Sequence, residues 1–348
     1  MSRKTPASDT PSGEGKKKRD RSGAEPEGWR TGPAWREMDG RAARRRRRTA
    51  MGAAALLVAA GAVWVVNPGD IRARLSGNND TVAAAPLPPE TAAPTAAPGQ
   101  EAGNATPTLE RPFAGSPAER YADGPAGIVL PPAKATGWMD KEQVARALRQ
   151  AKQWLVSANL DPTTLSGGQP KAALELTDPQ QPGTLELMRK ALRSPGAEHD
   201  PLSFFSRFDP TEVRPAGDIV KTRGRMTYEA DDKDGTLVIH ADYTFVYPVV
   251  KARVGAHEVT RTIVRRQLDL EFTDPARYQN TPGKLGLGQY QHEASNSSCA
   301  RDDGFLHPMF ATDAPDGPEP SGEAVDPYDR SRDLSKEPAD SCGTVSRV

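Results

Sequence analysis

Apolar and aromatic residues are scarce in this sequence of 348 residues. They make up 36% and 6% of the chain, whereas a typical globular protein is about 45–50% apolar. The chain has only two cysteines, which excludes a small scaffold held together by many disulfides. Its glycines follow no period of three, which excludes a collagen-like chain. Much of the sequence therefore lies outside any hydrophobic core, and a compact enzyme that fills the whole chain is excluded.

The chain also lacks a net charge, but its two signs are separated along the sequence. Residues 1–50 carry 15 basic and 7 acidic side chains, whereas residues 301–348 carry 5 and 11. We interpret residues 1–48 as a disordered basic cytoplasmic tail, because so few aliphatic residues cannot offset the entropy of ordering. No aromatic residue interrupts its basic runs to stack on bases, so nucleic acid is not an expected partner.

One long uncharged run is present, the 17 residues 50–66. It predicts a transmembrane helix over residues 49–67, with the lipid bilayer as a partner. The positive-inside rule places the N-terminus in the cytoplasm and the C-terminal domain outside the cell membrane. A cleaved signal peptide and a soluble core helix are the alternatives. The residues that determine this topology are Arg44, Arg45, Arg46, Arg47 and Arg48.

Proline is concentrated after this run, with 11 prolines between residues 86 and 132. Such a composition favours extended polyproline II structure, so we predict a disordered stalk rich in Ala, Pro and Thr over residues 68–136. At the other end, residues 311–348 are acidic and rich in Pro and Gly, which indicates a second disordered segment. One folded outer domain remains, residues 137–310.

Two helices are predicted at the start of this domain. Asp140 and Gln143 have the spacing of a capping box, and apolar residues then recur at helical spacing as far as Asn159. A second helix fits residues 184–193, with Thr184 as its cap.

The period changes to two after Pro210. Residues 220–229, 237–247 and 261–272 each alternate between apolar and polar side chains, as in half-buried strands. Pro248 is expected to mark a bulge or the end of pairing. We predict an α+β domain in which two N-terminal helices pack on a curved antiparallel sheet of three or more long strands.

This order of elements resembles the cone-shaped NTF2-like fold over residues 138–275. Together with a membrane anchor, it looks like the bitopic scaffold subunits of bacterial secretion and conjugation machines. The segments Asn159-Leu160-Asp161-Pro162 and Phe208-Asp209-Pro210, and the excess of 32 Arg over 14 Lys, are similar to a group of single-pass membrane proteins from high-GC actinobacteria. That resemblance implies a place in the cell envelope and brings no known activity.

Motifs for catalysis, cofactors and metals are missing. The five histidines share no metal-ligand spacing, and no Gly-x-Ser-x-Gly elbow occurs. We therefore expect no catalytic residue, no cofactor and no metal ligand. His240 stands out among the histidines because a predicted strand fixes it beside Asp242.

Three groups of side chains are candidates for other roles. Cys299 and Cys342 form a disulfide if both lie outside the cell, and two free thiols are the alternative. Basic residues on the polar face of the strands form either a patch for an anionic partner or a solvated surface: Lys221, Arg223, Arg225, Arg261 and Arg265. Aromatic residues line either a ligand pocket or the core: Trp154, Tyr228, Tyr243, Phe245, Tyr247 and Phe272.

These expectations favour a membrane-anchored binding or scaffold module of the cell envelope. Its outer domain would engage another envelope protein or the cell wall. The alternative is a small-ligand receptor or an enzyme that uses an aromatic-lined pocket of the curved sheet. The sequence does not indicate an oligomeric state.

Overall fold

The computed structural model describes residues 85–99, 105–181, 183–231, 233–314, 323–336 and 343–348. In these residues an antiparallel sheet of six strands dominates the fold. The predicted α+β class is therefore wrong, because strands rather than helices make up most of the structure. The helices are few, and only the first of them is long.

The long helix, α1, is Lys141–Asn159, and its predicted start and end are confirmed. The backbone N–H of Gln143 donates to Asp140 Oδ1 at 2.7 Å, and the N–H of Asp140 donates to Gln143 Oε1 at 2.7 Å. This capping box satisfies two backbone donors that a helix start leaves unpaired. Two short helices that the sequence did not predict follow, α2 at Pro162–Leu165 and α3 at Lys171–Leu176.

The last helix, α4, spans Thr184–Arg193, and the predicted range is confirmed. Its predicted cap is wrong, because the N-cap is Gly183 and no side chain caps the helix. Gly183 has a φ of 81°, a left-handed conformation that glycine adopts without a steric penalty.

All three predicted strands form, and each continues past the C-terminal end of its predicted range. They are β3 at Lys221–Asp231, β4 at Thr236–Lys251 and β5 at Thr260–Thr273. Three further strands complete the sheet: β1 at Ala122–Asp123, β2 at Val213–Pro215 and β6 at Gly286–Ser295. The order is β1-β3-β4-β5-β6, and β2 pairs with the far end of β4.

Pro248 neither ends β4 nor interrupts its pairing with β5, where it lies opposite Arg261. On the other edge of β4, however, the partner strand changes near this residue. Pairing with β3 ends at Val246, and pairing with β2 begins at Val249. Proline lacks a backbone N–H. It is tolerated here because no partner strand requires an N–H at this position on that edge.

The inner face of the sheet packs against the helices and forms the main core. Trp154 and Leu155 of α1 are fully buried there with Tyr243, Phe245 and Tyr247 of β4. The rings of Phe245 and Tyr247 are stacked with centroids 6.4 Å apart. Alternation along the strands thus directs these aromatic side chains to one apolar face.

One arginine lies on this inner face. Arg266 is buried, and its Nε donates to Asn159 Oδ1 at 2.6 Å while Nη1 donates to the carbonyl oxygens of Leu202 and Ser203. Burial lowers the pKa of Arg266 to about 10. Neutral acceptors at the end of α1 and at residues 202 and 203 therefore hold a cation inside the core.

Residues from both ends of the described chain cover part of the outer face, around Val246 and Ile263. We call the described residues in 85–123 and 323–348 the terminal cover. Phe113, Tyr121 and Tyr328 from this cover form a second buried cluster with Val246 and Ile263 of the sheet. The folded unit is therefore larger than the predicted range 137–310, and the described residues of the predicted stalk and acidic tail pack against the sheet.

The membrane prediction also needs correction as a description of this structure. In the chain segments that the structure describes, no helix is both long enough and apolar enough to cross a bilayer. The predicted span at residues 49–67 and the arginines at 44–48 lie outside those segments. Cys342 lies outside them as well, so the predicted pairing with Cys299 falls outside the described residues.

Candidate ligand-binding site

A trough of about 220 Å³ lies on the outer face, beside the terminal cover. Directly opposed residues of four strands form one row of its floor: Arg225, Asp242, Gln267 and Gln291. His240 and Asp269, which also oppose each other, belong to the next row. Gln289 and Ser335 complete the polar lining. Alternation brings these side chains to one face, and strand pairing brings them together.

His240 contacts two carboxylates. Its Nδ1 lies 2.6 Å from Asp269 Oδ1, and its Nε2 lies 3.4 Å from Glu229 Oε1. Ionised carboxylates only accept hydrogen bonds, so the donor in either contact is a ring N–H of His240. The sequence placed His240 beside Asp242, but the partner in contact is Asp269, from the neighbouring strand.

Asp242 is enclosed by two arginines. Arg265 Nε and Arg330 Nη1 lie 3.1 and 3.0 Å from its Oδ1, and Arg265 Nη2 lies 3.1 Å from its Oδ2. Burial alone raises the pKa of Asp242, but the charges of Arg330 and Arg265 outweigh burial and hold the pKa below its usual range. Because both oxygens already have cationic partners, Asp242 is a structural anion of the trough.

Arg330 also connects the two ends of the described chain. Arg330 Nη2 donates to Glu90 Oε2 at 2.9 Å, and Arg223 Nε lies 3.1 Å from Glu90 Oε1. Nearby, Arg332 pairs with Glu293 at 3.1 Å. The segment that carries these arginines continues to Ser335, which lines the trough. The terminal cover therefore supplies one wall of the site.

Most of the predicted basic patch is used inside the protein. Lys221 pairs with Asp123 at 2.7 Å, and Arg261 donates to the carbonyl oxygens of Pro112 and Ala114. Arg223 and Arg265 make the ion pairs described above. Four of the five basic residues thus hold the terminal cover against the sheet.

Arg225 is the exception in this group. Its Nε is shielded from solvent and has no hydrogen-bond partner among the described residues. No ion pair in this part of the chain includes its guanidinium, although Asp242 lies directly opposite on β4. Arg225 lines the trough, so this cation faces the site without an ion-pair partner among the described residues.

The aromatic candidates do not line this trough. Five of them, Trp154, Tyr243, Phe245, Tyr247 and Phe272, are buried in the main core, and Tyr228 is partly buried against it. The hydroxyl of Tyr228 donates to the carbonyl oxygen of Pro132 at 2.9 Å. Of the candidates from sequence, only Arg225 and His240 reach the site.

Within the described ranges, no group of three or more His, Cys, Asp and Glu side chains is arranged to hold a metal ion. Comparisons of this chain with protein-family models, curated proteins and solved structures find no match. The resemblances to secretion scaffolds and to actinobacterial membrane proteins therefore stay predictions.

Proposed function

We propose that this protein is a binding module that holds a small polar ligand in the trough of the outer sheet face. The observation that carries the proposal is Arg225, which has no ion-pair partner among the described residues, beside the amides of Gln289 and Gln291 and the His240–Asp269 pair. Such a set of convergent polar groups on rigid strands is typical of a ligand site. Its volume is below the roughly 300–1,000 Å³ of pockets for drug-sized ligands, so it suits a small molecule or one residue of a larger partner.

Binding is favoured over catalysis by the contacts of His240. A catalytic histidine needs one ring nitrogen to activate a nucleophile and the other to be oriented by a third group. In this site carboxylates face both nitrogens of His240, at 2.6 and 3.4 Å. No serine, threonine, cysteine or lysine among the described residues makes a hydrogen bond with the ring. The ring therefore orders the floor of the trough.

The test is an NMR titration of the full-length, ¹⁵N-labelled protein with three chemically different probes. Glucose is a neutral hydroxyl ligand, ethanolamine is a cation, and glycylglycine carries a carboxylate. We expect at least one probe to shift the amide signals around Arg225, His240 and Asp269, saturably and without shifting signals of α1. If all three leave the trough signals unchanged up to 50 mM, the proposal is overturned.

A further inference from the structure

We propose that Arg225 recognises a carboxylate, and that the ligand is a small zwitterion of the amino-acid type. This inference rests on the proposed binding function and names the chemical class of the ligand. A guanidinium presents a planar fork of donors that matches a carboxylate in two parallel hydrogen bonds. Arg225 is the one member of the basic group whose guanidinium lines the trough without a partner among the described residues.

The neighbouring protein anions do not take this role. Asp242 lies directly across the strand pair from Arg225, but it is directed to Arg265 and Arg330, which occupy both of its oxygens. Asp269 accepts from His240. Burial of the Arg225 Nε–H group without an acceptor costs free energy, because the group has lost its hydrogen bond to water. A ligand carboxylate that accepts from this group removes that cost.

The charges around Arg225 favour a zwitterion over a phosphate. Asp269 and Glu229 add two carboxylates to the same face of the sheet, and like charges repel a dianion. In contrast, Oδ2 of Asp269 makes no hydrogen bond with any described residue, so it is available to a ligand ammonium or amide N–H. A molecule with a carboxylate and a nearby N–H donor can pair with both Arg225 and Asp269.

A free amino acid and the C-terminal residue of a peptide share this chemistry. Glycine represents the first source and glycylglycine the second. Glycinamide keeps the ammonium but lacks the carboxylate, so it is the matched control ligand. The full-length protein is titrated with each probe at pH 7, and the Nε–Hε signal of Arg225, assigned by its loss in Arg225→Lys, is followed beside the amide signals.

We expect glycine, glycylglycine or both to shift the Arg225 Nε–Hε signal saturably, and glycinamide to leave it unchanged. Arg225→Gln should weaken this binding by roughly tenfold to a hundredfold, the usual range for a lost charge-assisted hydrogen bond. Arg225→Lys should restore part of it, because the charge remains but the planar fork is lost. Arg253→Gln, the same charge change in the exposed turn between β4 and β5, should bind like the unaltered protein.

Three results separate this inference from the proposed function. If glucose or ethanolamine binds in the trough and neither carboxylate probe does, the binding function stands and the carboxylate inference is overturned. The inference is also overturned if glycinamide binds as tightly as glycine and glycylglycine, or if Arg225→Gln keeps full affinity with an unchanged spectrum elsewhere. If no probe perturbs the trough, both proposals are overturned.

Discussion

Nη1 of Arg330 lies 3.0 Å from Oδ1 of Asp242, and this contact joins two residues that are 88 positions apart in the sequence. Their side chains are only 2% and 14% exposed. The same guanidinium reaches Glu90, which is 240 positions away. One arginine thus fastens both ends of the described chain to the sheet beside the trough.

Replacement of this arginine should destabilise the fold strongly. In Arg330→Met the buried carboxylates of Asp242 and Glu90 lose a cationic partner, and breaking a buried ion pair in this way costs about 3–5 kcal/mol. Chemical denaturation measures the free energy of unfolding. Arg253→Met is the control, since an exposed turn residue should change it by no more than about 0.5 kcal/mol. Equal stability of the two variants would show that the network contributes little.

Stability should fall in acid partly because of Asp242. Its pKa in the folded protein is held below its usual range, because Arg330 and Arg265 outweigh the effect of burial. The stabilisation is therefore complete above the unfolded pKa of about 3.9 and is lost as the pH falls through the lower folded pKa. Thermal unfolding between pH 6 and pH 2 tests this. Asp242→Asn should be less stable at pH 6 and lose less stability on acidification. A parallel pH profile would contradict the assignment.

Gly224 should not tolerate a side chain. A Cβ atom at this position would lie 2.2 Å from the carbonyl oxygen of Asp242 and 2.4 Å from Cδ1 of Tyr243. Gly224→Ala therefore forces β3 away from β4, and overpacking of this kind costs about 1–3 kcal/mol. Gly196→Ala is the matched control, because nothing lies within 4 Å of its added Cβ. Melting temperatures of the two variants test the difference, and equal values would refute this close approach.

The capping box of α1 should contribute measurably to stability. Asp140→Ala removes the acceptor for the N–H of Gln143, and loss of such a cap costs about 1 kcal/mol. Asp140→Asn keeps an acceptor oxygen at the N-cap, so it should retain most of the stability. Urea denaturation compares the two variants. If asparagine is as destabilising as alanine, the cap does not act through this hydrogen bond.

Local patterns in the sequence predicted the parts of the fold whose causes are local. The capping residues and the apolar period predict α1, and alternation predicts β3, β4 and β5, because both arise from backbone geometry within a few residues. Alternation also predicts that Arg225 and His240 share the polar face. Arg266 breaks the pattern, since it occupies an inward position and finds its acceptors in Asn159 and two carbonyl groups.

The composition of the chain ends was a poorer guide. Proline-rich and acidic stretches favour disorder when each is considered alone. A few anchors, Phe113, Tyr121 and Tyr328, nevertheless bury apolar surface against Val246 and Ile263. Partners so distant in sequence leave no periodic signal, so neither the terminal cover nor the wall of the trough was predicted.

The residues alone set the helix and strand periods, the capping box of α1 and the face to which each strand residue points, because these properties depend on neighbours in the chain. The tertiary structure determines which of the outward-facing basic residues form contacts with the described residues, and that Arg225 has no ion-pair partner among them. The alternating pattern of the strands does not distinguish among the five basic residues on the polar face, Lys221, Arg223, Arg225, Arg261 and Arg265. Only the arrival of Glu90, Arg330 and the terminal cover from distant parts of the chain separates Arg225 from the rest.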